Sequence, residues 1–342
     1  MFIIAKPALR TALQVLVSVA LIGFLVSATR QNNLSESLAA IAPGALALAF
    51  CVQGLGFVLS TCRWQLILRY AGIDQPFLEL FQLYLMGLFF SLFLPTGTGG
   101  DAVRMYQVAR RSGRTAEAIV GTFQERFLGL GASLLVGLLA MLIHLSLVPE
   151  GLRIWVAIIA PLGLVGVSLM LYPRAIFAIG TRFWQAFGRN ALLMRLAGHR
   201  LVVRVMAALQ PIHDLPPLPS TRFMLLLVIS VAAILSGITM YYMIGRSLDL
   251  GVGFMAFCLV VPLVWIIRMA PVSLGGIGVG EGSFVFLMSL FAVNSGPALA
   301  LALTALAIQT SFALLGGALL ALRMARGSWS TAISSGDRST TP

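Results

Sequence analysis

Apolar runs long enough to cross a bilayer recur along the chain, and they restrict its fold more than any other feature. About 20 apolar residues in helical form span the ~30 Å hydrocarbon layer. Inside that layer every backbone N–H and C=O must find a partner within the protein, which leaves helices and closed barrels. The runs are continuous rather than alternating, so they are helical. Composition agrees: 59% of the 342 residues are hydrophobic and 10% are charged, against roughly 25% charged in soluble domains. Mean hydropathy is +0.98. The fold class is therefore all-α and polytopic, with apolar runs at about 9–28, 38–60, 76–95, 119–147, 153–172, 221–244, 253–293 and 297–322.

The formal charge of +12 does not point to nucleic acid, because the basic residues sit in loops between apolar spans, as orientation by the positive-inside rule requires. Cys51, Cys62 and Cys258 form no CxxC pair, and His144, His199 and His213 do not cluster with them, so neither a disulfide nor a zinc site is expected. Lys6 and Arg10 precede the first run, whose length marks an uncleaved span rather than a signal peptide. Residues 173–220 interleave Arg174, Arg182, Arg189, Arg195, Arg200 and Arg204 with aromatic residues. They read as an amphipathic segment on the anionic cytoplasmic surface of the membrane. The tail 327–342, rich in Ser, Thr and Gly, reads as disordered.

Topology follows from charge. With the N-terminus cytoplasmic, the second span leaves Arg63 and Arg69 inside. A full crossing at 76–95 would then expose Arg104, Arg110, Arg111 and Arg114 outside, against the rule. A hairpin that enters and returns keeps them inside, and a second hairpin over 253–293 does the same for Arg323 and Arg326. The reading is about six full spans plus two re-entrant hairpins, as one membrane domain over 1–326 with repeat halves at about 1–150 and 151–326. It places the protein in the cell inner (plasma) membrane with both termini cytoplasmic. The hairpin turns match in spacing: Pro95 leads to Gly99-Gly100 and Asp101, and Pro271 to Gly275-Gly276 and Glu281. Inverted repeats with broken helices meeting near the midplane carry this signature.

Each break interrupts a helix and starts another, whose free N–H groups and dipole favour an anion. Ionisable residues in apolar context are expensive to bury and are functional candidates for that reason. Arg104, Arg126 and Arg268 are the expected headgroup contacts, since Arg binds phosphate through paired donors. Asp101, Glu125 and Glu281 would order these arginines or carry a coupled proton. Gly99, Gly100, Ser273, Gly275 and Gly276 complete the expected substrate-binding set. Arg63 and Glu79 read as interfacial, and His144 as a packed residue near a span end.

Three ordered motifs, Gly99-Gly100-Asp101-Ala102-Val103-Arg104, Glu125-Arg126-Phe127-Leu128-Gly129-Leu130 and the stretch from Pro271 to Gly282, resemble those of the lysylphosphatidylglycerol synthase transmembrane-region family, also called the flippase-like domain or UPF0104 family. The resemblance runs from about residue 8 to 325. It implies a domain that moves lipids between leaflets. Full-length relatives fuse that domain to a cytoplasmic aminoacyltransferase; here the chain ends about fifteen residues after the last span, so translocation without aminoacyl transfer is expected. Neither a catalytic motif, a cofactor nor a metal is expected, and the expected partners are membrane lipids. Alternatives are a secondary transporter of a small anionic solute, or a membrane partner of a separate lipid-modifying enzyme.

Overall fold

The computed structural model describes residues 7–29, 34–93, 99–143, 220–270 and 272–326, with isolated positions between 150 and 164. The expected span at 153–172 lies largely outside these residues. The amphipathic segment 173–220 (apart from Ser220), the tail, and both Pro95 and Pro271 also lie outside them. The described residues are mostly helical, with no strand among them. We number the helices α1 (Pro7–Thr29), α2 (Leu34–Ala40), α3 (Pro43–Tyr70), α4 (Phe77–Phe93), α5 (Gly99–Ser112), α6 (Thr115–Ile143), α7 (Ser220–Ser247), α8 (Phe254–Arg268), α9 (Val279–Ser289) and α10 (Ser295–Ala325).

Four of them, α3, α6, α7 and α10, are long and apolar enough to cross a membrane, and the bent pair α1–α2 adds a fifth candidate. The apolar helices α4 and α8 are shorter. At 1.5 Å per residue, the 28 residues of α3 extend to roughly 42 Å, so its ends project past the ~30 Å hydrocarbon layer. Pro43 opens this helix at a position where its missing N–H leaves nothing unpaired. The second span was expected to end at Arg63; α3 instead continues to Tyr70 and carries Arg63 on its buried face.

Both expected hairpins are present. At the end of α5, Arg111 Nη1 donates to Glu79 Oε2 at the start of α4 over 2.6 Å, so the chain goes in along α4 and returns along α5 to the same end. On the other side α8 packs against α9. A Cβ built on Gly245, near the end of α7, would lie 2.7 Å from Phe257 near the start of α8 and 3.3 Å from Leu301 in the first turns of α10. The chain therefore leaves α7, traverses α8 and α9, and re-enters α10 at the end it started from.

The two halves are inverted. The helices α3 and α7, each preceding a hairpin, run antiparallel along their length. The Ala42 amide donates to Ser247 Oγ at 2.9 Å, Ser236 Oγ donates to the Val52 carbonyl, and the Arg222 guanidinium stands 4.6 Å from the centre of the Tyr70 ring. The hairpins are exchanged between halves: α4 packs along α10, and α8 along α6. Basic residues collect at one end of the bundle, where Arg69 pairs with Asp74, Arg114 donates to the Ala71 carbonyl and Arg323 donates to Gln82.

Small residues set the closest helix crossings, as they do where lipid supplies no hydrophobic drive for association. A Cβ on Gly316 of α10 would sit 2.0 Å from the Leu85 carbonyl oxygen of α4, and one on Gly100 of α5 1.9 Å from that of Gly87. Outward positions such as Leu16, Val19, Phe24, Leu142 and Val228 are exposed and apolar. Helix α1 lies against the second hairpin, where Ser18 Oγ accepts the Leu274 amide at 2.9 Å and Leu21 covers Gly278.

Gly316→Ala forces α4 and α10 apart and is expected to destabilise the fold by about 1–3 kcal/mol. Gly44→Ala, with open space around it, is expected to be neutral or to stabilise by up to ~1 kcal/mol through helix propensity. Thermal unfolding of both variants in detergent checks the contrast; equal shifts would refute the close crossing.

Candidate functional site

The polar residues of α3 recur at helical spacing. Gln53, Gly56, Phe57, Ser60 and Arg63 share one face and form a wall of a cavity of about 340 Å³. The remaining walls come from both halves: Tyr84, Leu88, Ser91 and Leu92 of α4, Arg126 of α6, Ala233, Ile234 and Gly237 of α7, Trp265 and Arg268 of α8, and Gln309 and Thr310 of α10. The hairpin tips meet at its edge, where a Cβ on Gly275 would lie 3.3 Å from the Ser91 carbonyl oxygen.

Two buried ion-pair systems shape the lining. In the first, Glu125 of α6 accepts from Arg63 of α3 on one oxygen, while its other oxygen lies 3.4 Å from Arg104 of α5. Arg104 also pairs with Asp101 one turn earlier, and the second Asp101 oxygen is 3.3 Å from Arg126. The Arg104 guanidinium is 4.9 Å and 4.5 Å from the ring centres of Trp64 and Tyr84, within cation–π range. Its stem runs over Gly87. The side chains of Arg63, Arg104 and Glu125 are at most 5% exposed. Charges this deep are tolerated only when paired and hydrogen-bonded.

In the second system Arg268 lies 3.8 Å from Glu281, and its Nη1 donates to Gln309 Oε1 at 3.3 Å. Gln309 in turn donates to the Tyr241 hydroxyl at 3.4 Å. The other Glu281 oxygen accepts the Gly278 amide at 2.5 Å, capping α9. Gly276 and Gly278 adopt positive φ values of 75° and 87°, which other residues resist. A Cβ on Gly280 would lie 2.5 Å from Arg268 Cδ, so the bare glycine makes room for the arginine stem.

Among the described residues, the cavity wall thus contains Arg63, Arg126 and Arg268 and no aspartate or glutamate. The carboxylates stand behind the arginines and hold them in place.

Of the residues expected from sequence to bind substrate, Arg126, Arg268 and Gly275 line this cavity. Asp101, Arg104, Glu125 and Glu281 lie outside the lining and orient it through their ion pairs. Gly99, Gly100, Ser273 and Gly276 are also outside it. At each hairpin one amide at the helix start is bonded within the protein. The Gly100 amide is 3.2 Å from Ser91 Oγ, which accepts from it, and the α9 terminus is capped by Glu281. Gly100 serves close packing of α5 on α4 instead. Arg63, read as interfacial, is 4% exposed and belongs to the lining, whereas Glu79 is partly exposed at the basic end. Gln53, Tyr84, Trp265 and Gln309 were not expected; the polar stripe Gln53–Ser60–Arg63 was the available signal.

Fold and cavity define a polytopic helical membrane protein with an arginine-lined cavity between inverted halves. Residues 11–317 match the family described as the lysylphosphatidylglycerol synthase TM region. The chain belongs to that family, whose description links it to lipid handling. Comparison with curated proteins finds no match.

Glu125→Ala leaves Arg63 and Arg104 buried without their shared carboxylate and is expected to destabilise the protein by about 3–5 kcal/mol. Glu79→Ala, at the partly exposed Arg111 pair, is expected to change stability by less than about 1 kcal/mol. Unfolding in detergent measures both, and a mild Glu125→Ala phenotype would count against the buried network.

Proposed function

We propose that the protein translocates an anionic, phosphate-bearing lipid between leaflets, with the headgroup passing through the arginine-lined cavity while the acyl chains stay in lipid. The observation that carries this reading is the lining itself. Three guanidinium groups, from α3, α6 and α8, converge on one cavity with no carboxylate among the described lining residues. Guanidinium forks match phosphate oxygens in geometry and charge. A volume of about 340 Å³ suits a headgroup and falls at the small end of ligand cavities.

Membership of a lipid-handling family supports the choice of a lipid over a soluble solute. Concentration of arginines at one end of the bundle supports a cytoplasmic assignment for that end by the positive-inside rule, in a plasma membrane, with α4 and α5 re-entering from that side. The meeting of the two hairpin tips beside the cavity fits rocking of inverted halves around a fixed site. The open substrate-binding assignments divide accordingly: Arg126 and Arg268, joined by Arg63, contact the headgroup, and Asp101, Arg104, Glu125 and Glu281 position them.

The test is leaflet transfer of an acyl-labelled anionic phospholipid in proteoliposomes, followed by quenching of the outer leaflet. Arg126→Ala and Arg268→Gln are each expected to slow transfer at least tenfold, the equivalent of about 1.4 kcal/mol or more. Both should retain a monodisperse, folded protein. Wild-type rates in both variants would remove the site assignment.

A further inference from the structure

The arginines of the cavity wall differ in exposure. The Arg126 side chain is 33% exposed, that of Arg268 15% and that of Arg63 5%. Exposure falls inward from α6, which puts the open edge of the cavity at Arg126. Ile119, Phe123 and Arg126 follow one another at i, i+4 and i+7 and share one face of α6. Ile119 and Phe123 are 38% and 52% exposed, so this face looks out at lipid. Arg126 is at the same time the α6 residue among the described cavity lining. A cation on an apolar, lipid-facing stripe is unfavourable unless it serves a polar path. Arg126 thus stands where the cavity meets the bilayer, with its Nη1 3.3 Å from Asp101 Oδ2 at the start of α5.

The neighbouring helix α8 supplies the other side of this edge. It starts at the opposite end of the bundle from α6 and runs antiparallel to it. The two close on each other where a Cβ on Gly137 would lie 3.7 Å from the Cys258 carbonyl oxygen and 3.9 Å from Pro262 Cβ. From that crossing, Arg126 lies eleven residues back along α6 (137 − 126) and Met269 eleven residues on from Cys258 (269 − 258). Each distance is about 16 Å at 1.5 Å per residue, so the two residues come level. Met269 also lines the cavity and is 37% exposed. Other described seams around the cavity are filled. Phe312 stacks on Phe50 and meets Phe57 edge-on, with ring centres 4.3 Å and 5.1 Å apart, between α3 and α10. A Cβ on Gly56 of α3 would lie 3.5 Å from the Ala233 carbonyl oxygen of α7. The Arg63–Glu125–Arg104 ion pairs tie α3, α5 and α6 together.

We infer that the lipid enters the cavity sideways, through the seam between α6 and α8, with an acyl chain along Ile119, Phe123 and Met269 and an anionic headgroup meeting Arg126 first and Arg268 next. This rests on the translocation reading above and adds to it a route of entry and an acyl-chain site. Ile119 lies four residues after Thr115, which opens α6 at the arginine-rich end of the bundle, so the lipid is drawn from the leaflet at that end.

The test uses the full chain in proteoliposomes containing equal amounts of phosphatidylglycerol and phosphatidylcholine, each with a photoreactive diazirine on one acyl chain and distinguished by mass. After illumination, the labelled residues are mapped by mass spectrometry. The reference positions are Leu142, beyond the Gly137 crossing on α6, and Val228 of α7, both exposed and apolar. The ratio of phosphatidylglycerol to phosphatidylcholine label at Ile119, Phe123 and Met269 is expected to exceed the ratio at the reference positions about threefold, as one partly exposed ion pair supplies. Arg126→Ala is expected to remove the enrichment. Met269→Trp, which fills the edge, is expected to slow leaflet transfer of phosphatidylglycerol, and Leu142→Trp to leave it unchanged. Equal ratios at all five positions of the wild type overturn the route and, with transfer still measured, leave translocation standing. Enrichment that persists in folded Arg126→Ala overturns Arg126 as the first contact. The comparison between positions is made on the wild type, so it decides the route even if Arg126→Ala does not fold. Enrichment at the seam without leaflet transfer overturns translocation and leaves an anionic-lipid site.

Discussion

The architecture depends on one buried carboxylate. Glu125 of α6 is shared between Arg63 of α3 and Arg104 of α5, so a single side chain joins a spanning helix, a hairpin limb and the helix that follows the hairpin. Desolvating three such charges is unfavourable by itself, and mutual pairing offsets that penalty only when geometry is good. The packing around them supplies the geometry. Arg104 is fixed between the Trp64 and Tyr84 rings, and Gly87 gives its stem passage. With Arg104 immobilised behind the wall, Arg63 and Arg126 are left as the guanidinium groups that the cavity presents. The second half reaches the same result by different means: Arg268 is held by Glu281, Gln309 and the bare surface of Gly280.

Most of the fold was legible in the sequence, because bilayer thickness and charge distribution act on the chain in one dimension. The hairpin at α4–α5 was inferred from the signs of Arg104 to Arg114 alone, and the Arg111–Glu79 pair at its base bears that inference out. The site was legible only in part. Arg126 and Arg268 stood out as charges in apolar context and do line the cavity. Arg63 was lost because a span was taken to end at its first charged residue, whereas α3 runs another two turns to Tyr70. Its partner Glu125 is 62 positions away, a pairing that periodicity does not reveal. Gly99-Gly100 illustrates a different ambiguity. A glycine that frees the backbone and a glycine that admits a neighbouring backbone look the same in sequence, and Gly100 proved to be the second kind.

Position in the lining separates two roles that sequence reasoning had merged. Charged residues outside the described lining, such as Arg104 and Glu281, build the scaffold through their ion pairs. Arg63, Arg126 and Arg268 form the described wall. The division accounts for the number of acidic residues near a site proposed to receive an anion: they set the positions of the arginines, and none is among the described lining residues.

Helix α1 has a consequence of its own. Two identical inverted halves would rock between states of equal energy related by a two-fold axis, with no resting preference. The hydrogen bond from the Leu274 amide to Ser18, and the cover that Leu21 gives Gly278, fasten α1 to the tip of one hairpin. Under the rocking proposed above, that attachment would favour one orientation, through a helix that contributes no described residue to the cavity lining.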